Sequence, residues 1–181
     1  ATGLNADGQL GDGTTTQRTA PVPMTGITAA TAIAGGDRHS LVLLSGGTLV
    51  ATGANADGQL GNGTTTSRTT AGPVSSLTGV SSISSGATHV VARKSDSTIW
   101  TWGRNHLGQL GHGTLTSLST PQQVTGLPAM ATVNAGAHHL FAVTSGGTVY
   151  SWGDNPSSQL GDGTTENRWS SLDTDAAGGC I

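Results

Sequence analysis

The chain has 181 residues, a formal net charge of −3 and only 9 % charged residues, with 29 glycines against a single lysine (Lys94) and a single glutamate (Glu166). That length suits one good domain. The longest basic run, Arg93-Lys94, is too short for the basic stripe that a phosphate backbone requires, so nucleic acid is excluded as the main partner. No stretch reaches the ~18 apolar residues of a membrane helix, no secretory leader pattern is visible, and the lone Cys180 permits neither an internal disulfide nor a four-thiolate metal site.

In chain order the first feature is a glycine-rich loop carrying Gly3, Asn5, Gln9, Gly11 and Gly13. A Gly/Ser/Thr bias often marks a flexible linker, but this loop returns in register every 50 residues: Gly53, Asn55, Gln59, Gly61 and Gly63, then Gly103, Asn105, Gln109, Gly111 and Gly113, then Gly153, Asn155, Gln159, Gly161 and Gly163. Residues 1–19 and 51–69 match at 16 of 19 positions. Chance does not produce such a register, so the chain is a tandem repeat, divided into a partial unit over about 1–30 and units over 31–80, 81–130 and 131–181.

Between the loops the pattern is strand-like. Thr31–Ala34 is a short strand of small residues, followed by Gly35-Gly36 and an apolar strand over His39–Leu44. Ser45-Gly46-Gly47 signals a tight hairpin, and Thr48–Thr52 returns. The second unit repeats the hairpin as His89–Arg93, Ser95-Asp96-Ser97 and Thr98–Trp102. The third gives His139–Val143, Ser145-Gly146-Gly147 and Thr148–Trp152. A weaker fourth strand is expected around Pro21-Val22, Pro73-Val74 and Gln123-Val124, where proline suits an edge position because it cannot donate to a ladder. No segment holds a helical period. Four short antiparallel strands per unit describe a β-propeller blade; the fold class expected is all-β, with about 3.6 repeats forming a partial or assembly-completed propeller.

Gly136-x-x-His139, a hairpin, and then Val149-Tyr-Ser-Trp152-Gly-x-Asn155-x-x-x-Gln159-Leu-Gly-x-Gly163 resembles the signature of the regulator-of-chromosome-condensation repeat family. The likeness runs over nearly the whole chain. It implies a propeller, usually of seven blades, whose members bind proteins through a face of the disc. Departures are Thr2-Gly3 and Thr52-Gly53 in place of the Trp-Gly of Trp102 and Trp152, and Ser158 in place of the loop glycine. The basic tail of the family's chromatin-bound exchange factor and the tryptophan–arginine clusters of its photoreceptor are missing, so neither activity carries over.

Three chemistries are weighed against bland readings. The loop's Asn and Asp residues suggest calcium, but Asp7 and Asp57 become Leu107 and Ser157, and Asp12 becomes Asn62 and His112; a ligand set lost in half its copies points to a compact turn in which Asn bonds nearby backbone. His39, His89 and His139 start equivalent strands and would have to converge on the propeller axis to share a metal; each is expected instead to bond backbone within its own blade. No nucleophile elbow, paired acids or phosphate loop is present, and Asp173 and Asp175 sit in a poorly patterned tail. The expectation is a non-enzymatic scaffold without cofactor or metal. It binds protein partners, or self-associates through open blade edges; the alternative is an inhibitor-like or ligand-binding module within a longer seven-bladed protein. Ala176–Ile181 reads as the start of a further blade. Scarce Lys and Glu lean towards a secreted, extracellular protein.

Overall fold

In the computed structural model, which describes residues 1–173, every regular element is a strand. They form three four-stranded antiparallel sheets. The first holds β1 (Ala30–Gly35), β2 (His39–Leu44), β3 (Leu49–Gly53) and β4 (Arg68–Pro73). The second holds β5 (Val80–Ser85), β6 (His89–Lys94), β7 (Ile99–Gly103) and β8 (Leu118–Gln123), and the third β9 (Met130–Ala135), β10 (His139–Thr144), β11 (Val149–Gly153) and β12 (Arg168–Asp173). Sequence order is spatial order within each sheet. The first strands, β1, β5 and β9, contact one another from sheet to sheet, so they line the axis and the fourth strands form the rim. These are three propeller blades.

The hairpins fall where the Gly and Ser signals put them, with Leu41 opposite Ala51, Val91 opposite Thr101 and Phe141 opposite Ser151. The fourth strands start earlier than expected. Pro73 and Gln123 end β4 and β8, and Val74 and Val124 lie just beyond, their N–H groups donating to Leu49 and Ile99 carbonyls at 3.0 and 2.9 Å. The ladder runs through Arg68, Gly72 and Pro73 in β4 and Leu118, Gln122 and Gln123 in β8, a segment that alternation of apolar residues does not reveal. Near Pro21-Val22 there is no strand; the first unit has the isolated bridges Gly3–Arg18 and Asp12–Thr70, and Val22 N–H donates to the Ala1 carbonyl at 2.8 Å. Asp173, expected in an unpatterned tail, ends β12. Asp175, Cys180 and the Ala176–Ile181 segment lie outside the described residues.

The core lies between blades. Alternation puts Leu41, Leu43, Leu49 and Ala51 on the forward face of blade one, against Val90, Ala92 and Trp102 on the rear face of blade two. Val91 and Ile99 on blade two meet Leu140, Ala142 and Trp152 on blade three in the same way. Trp102 and Trp152 are fully buried, and their indole N–H groups donate to the Gln59 and Gln109 carbonyls of the preceding loop at 3.0 and 3.1 Å. Where blade one has Thr52, the hydroxyl bonds the Gly8 carbonyl at 2.9 Å, and Met24 packs over Gly11 in the room an indole takes elsewhere.

Candidate protein-binding surfaces

The repeated loop residues are structural, and the carboxamide of each Asn is the hub. Asn5 Nδ2 donates to the Thr14 and Thr16 carbonyls at 3.0 and 3.1 Å, and its Oδ1 accepts from Leu10 N–H at 2.9 Å. Asn55, Asn105 and Asn155 repeat the set in their own loops. All four are buried. Aspartate would lack the donors those carbonyls need, which is why Asn stands at every copy. Gln9, Gln59, Gln109 and Gln159 each accept from the N–H two residues earlier, tightening the same turn.

The loops also staple blades together. Gly13, Gly63 and Gly113 donate N–H to Thr69, Ser119 and Trp169 carbonyls on the next blade's outer strand at 3.0, 2.8 and 2.7 Å. A Cβ on Gly8, Gly58 or Gly108 would stand 2.6–2.7 Å from the Cα of those same residues. The neighbouring backbone therefore dictates glycine there. Ser158, the exception, is at the end of the array, with no following outer strand among the described residues.

In the first loop the acid that suggested calcium is an ion-pair partner: Asp12 Oδ2 accepts from Arg18 Nε at 2.7 Å while its Oδ1 accepts from Thr14 and Asn5. The Thr14 hydroxyl, the Thr14 N–H and Arg18 hold the Asp12 carboxyl well below the usual range against the opposing effect of desolvation. Asp162 and Arg168 repeat the pair at 2.7 Å. In the second loop Asn62 replaces the acid, and Arg68 Nη1 is buried without a partner.

The three histidines explain Gly-x-x-His. A Cβ on Gly36, Gly86 or Gly136 would stand within 2.3 Å of Cε1 of His39, His89 or His139, so each ring fills the space its glycine leaves empty. The expectation that each bonds backbone inside its own blade needs correcting. His39 Nε2 lies 2.9 Å from Ser85 Oγ, on the next blade. Ser85 Oγ also lies 3.1 Å from the Gly86 carbonyl and 3.3 Å from the His89 carbonyl. Position 135 is Ala where its 50-residue equivalent is Ser85, and His89 accordingly has no partner on either ring nitrogen. Desolvation drives His39 down to about 4, opposed by Asp37, and His89 down to about 3, aided by His138, His39 and His139 and opposed by the polar backbone of His139, which approaches the ring without a well-formed hydrogen bond. Sequence reading missed the Ser85–His39 pair because its members lie 46 residues apart. It is not a catalytic pair: Nδ1 of His39 has no orienting acid and is buried without a partner. Among the described residues no three His, Cys, Asp or Glu side chains gather to hold a metal, and no helix is long and apolar enough to cross a membrane.

Among the described residues, two blade faces have no neighbouring blade against them. On the rear of blade one, Ile33 is 80 % exposed, whereas its repeat equivalents Ile83 and Val133 pack into the seams. An apolar groove of about 270 Å³ runs beside it, lined by Ala1, Met24, Ile27 and Val42. On the front of blade three, Phe141, Val143 and Val149 are only half-buried, whereas Leu41, Leu43 and Leu49 of blade one are 0–5 % exposed.

Known proteins carry the same architecture. The human WBSCR16 structure matches with a TM-score of 0.84 at 23 % identity, over 95 % of this chain and 47 % of that one. Yeast RCC1 (Prp20), solved bound to Kap60, matches with a TM-score of 0.81 at 24 % identity, over 93 % of this chain and 42 % of that one. The chain thus spans less than half the length of these proteins. No curated protein sequence matches significantly. The model of the regulator of chromosome condensation (RCC1) repeat matches residues 1–43, 47–93 and 96–143, and a second model of the same repeat matches 30–59, 80–109 and 131–159. With the blades, the Asn-centred loops and the Gly-x-x-His slots on the same register, the chain belongs to the RCC1 repeat family.

Proposed function

We propose that this chain is a non-enzymatic, protein-binding propeller arc whose two bare blade faces are covered by further blades, supplied by a second copy or by more of the same polypeptide. The observation that carries the reading is Ile33, left in water while its two repeat equivalents, Ile83 and Val133, pack against the seam cores. Burying such a side chain contributes roughly 1.5–3 kcal/mol, and Phe141, Val143 and Val149 add to the drive from the other end. Protein binding is the coarse activity that the family supports, and the neighbours with solved partners bear it out for themselves: yeast Prp20 is described with Kap60, and in a second study with Gsp1p and histones. No such partner is assigned to this chain. A scarcity of Lys and Glu fits an extracellular setting, which fractionation of the producing cells would check. Light scattering on the native protein tests the central reading. Expected is a mass above the 17.9 kDa of the chain, either an assembly or a longer polypeptide. A stable, monodisperse species at that mass, unchanged over a hundredfold range of concentration, would overturn it.

A further inference from the structure

The four copies of the loop provide their own reference, and the second departs from it at a single atom. Asp12 and Asp162 each hold an arginine, with Arg18 Nε and Arg168 Nε donating to Oδ2 at 2.7 Å. The second loop keeps the arginine, Arg68, and has Asn62 in place of the acid. The rest of the cradle is retained. Asn62 Oδ1 accepts from Thr64 N–H at 3.0 Å, from Thr64 Oγ1 at 2.8 Å and from Asn55 Nδ2 at 3.2 Å, as Asp12 Oδ1 accepts from Thr14 and Asn5. With Oδ1 so fixed, Nδ2 stands where the aspartates have Oδ2. An amide donor there cannot receive a guanidinium. Arg68 turns away accordingly: its Nη1 lies where a Cβ of Gly72 would stand, buried and without a partner. Position 72 is glycine in this unit alone, against Val22, Gln122 and Leu172. A buried donor with no acceptor costs the fold its full desolvation.

Asn62 is also the one asparagine of seven that is followed by glycine. The backbone nitrogen after an asparagine can attack the side-chain carbonyl carbon, and glycine, with no Cβ, hinders that approach least. The two Thr64 donors on Oδ1 polarise the carbonyl that is attacked. The leaving atom, Asn62 Nδ2, donates to no group among the described residues, whereas Nδ2 of Asn55 is tied to the Thr64 and Thr66 carbonyls. Residues 63–67 are exposed, so water reaches the site. One contact opposes the attack. Gly63 N–H donates to the Ser119 carbonyl of blade two at 2.8 Å, and ring closure waits until that staple opens.

We propose that Asn62 is a site of self-modification, where deamidation to aspartate supplies the acid that Arg68 lacks. Gly63 N gives its proton to solvent base and bonds to Asn62 Cγ. The Cγ–Nδ2 bond breaks, and Nδ2 leaves as ammonia. Water then opens the cyclic imide between Cγ and Gly63 N, which regains its proton, and position 62 is left with a carboxylate. The balance is amide plus water to carboxylate plus ammonium, with no oxidant, cofactor or enzyme. The new oxygen is an acceptor, and the guanidinium moves from Gly72 to the place that Arg18 and Arg168 occupy in their own loops. The loop that staples blade one to blade two is thereby tightened after synthesis. Nothing in this reaction depends on what covers the outer blade faces.

The test holds the intact chain at 37 °C and pH 8.5 for four weeks and maps position 62 by fragmentation mass spectrometry. Expected is conversion of Asn62 to aspartate at least tenfold ahead of each other asparagine, and faster in dilute urea, where the staple opens more often. The encoded product, Asn62→Asp, uses the residue that two other copies already have, and is expected to melt roughly 2–4 °C above the parent. Arg68→Leu, which borrows the third unit's Leu118, is expected to abolish that difference when both chains carry it. Asn62 intact after four weeks, or isoaspartate as its main product, would overturn the proposal. So would an Asn62→Asp chain that melts no higher than the parent, or one that keeps its gain in the Arg68→Leu background, because the ion pair would then not form.

Discussion

His89 is the residue with most to gain from a single change. Its imidazole is fully buried between the second and third blades with neither nitrogen bonded, while His39, one repeat earlier, has Ser85 opposite. Ala135→Ser places a hydroxyl at the equivalent position. Satisfying one buried nitrogen is expected to stabilise the fold by about 0.5–1.5 kcal/mol, read as a rise of roughly 1–5 °C in Tm; an unchanged or lower Tm would refute the pairing. The same burial sets a pH dependence. Desolvation keeps His39 and His89 neutral in the folded chain down to about 4 and about 3, while the unfolded chain takes up protons below the ordinary 6.5. The unfolded state thus binds more protons in that window, so stability falls as pH drops from about 6.5 towards 3–4, and is flat above it. Asp12 and Asp162, both held low, add a loss of the same sign only below the ordinary carboxylate value of 3.8. Denaturant midpoints at pH 7.0, 5.5 and 4.5 should decline in the parent and decline less in His89→Gln. A flat parent profile over that range would show that the rings titrate normally.

At the level of the loop and the blade, the glycines separate two effects that usually travel together. Gly61 and Gly161 are the same residue of the repeat, with φ of +63° and +70°. A Cβ on Gly61 would stand 2.7 Å from Trp102 Nε1 and 3.0 Å from Val74 Cγ1, whereas one on Gly161 meets nothing within 4 Å. Gly161→Ala therefore bears only the left-handed backbone strain, about 1–2 kcal/mol, and Gly61→Ala bears that plus overpacking against the indole, about 1–3 kcal/mol more. Equal losses in urea denaturation would mean that Trp102 yields freely and the seam is loose. The hairpins and loops of this fold were legible because glycine, Asn and apolar alternation act locally, within a few residues of one another. What escaped was set across blades. The ladder of β4 and β8 shows no alternation, Ser85 meets a histidine 46 residues away, and Gly8, Gly58 and Gly108 are dictated by the backbone of the next blade.

At the scale of the molecule the controlling fact is that each seam joins one forward face to one rear face, and among the described residues one of each is left without a partner blade. The leftover pair differs in bulk from those already joined. Trp102 and Trp152 fill the rear of blades two and three, while the rear of blade one has Thr52 at that position and an apolar groove further in. The forward face of blade three, conversely, carries Phe141 where blades one and two carry Leu41 and Val91. If further copies cover these faces as proposed, a bulky forward face against a grooved rear face is a heterologous contact, the kind that propagates head to tail into a ring or a filament. Ile33→Lys and Phe141→Glu each place a charge in that seam, and an unpaired charge cannot be buried cheaply. Either variant alone is therefore expected to weaken association at least tenfold, seen as a shift in the concentration dependence of the scattering mass. A chain carrying both places Lys against Glu only if rear meets front. Partial recovery of assembly in the double variant, with no recovery on mixing Ile33→Lys with a second rear-face variant such as Ile33→Glu, would assign the head-to-tail contact; full assembly of both single variants would show that these faces are not the ones that are covered.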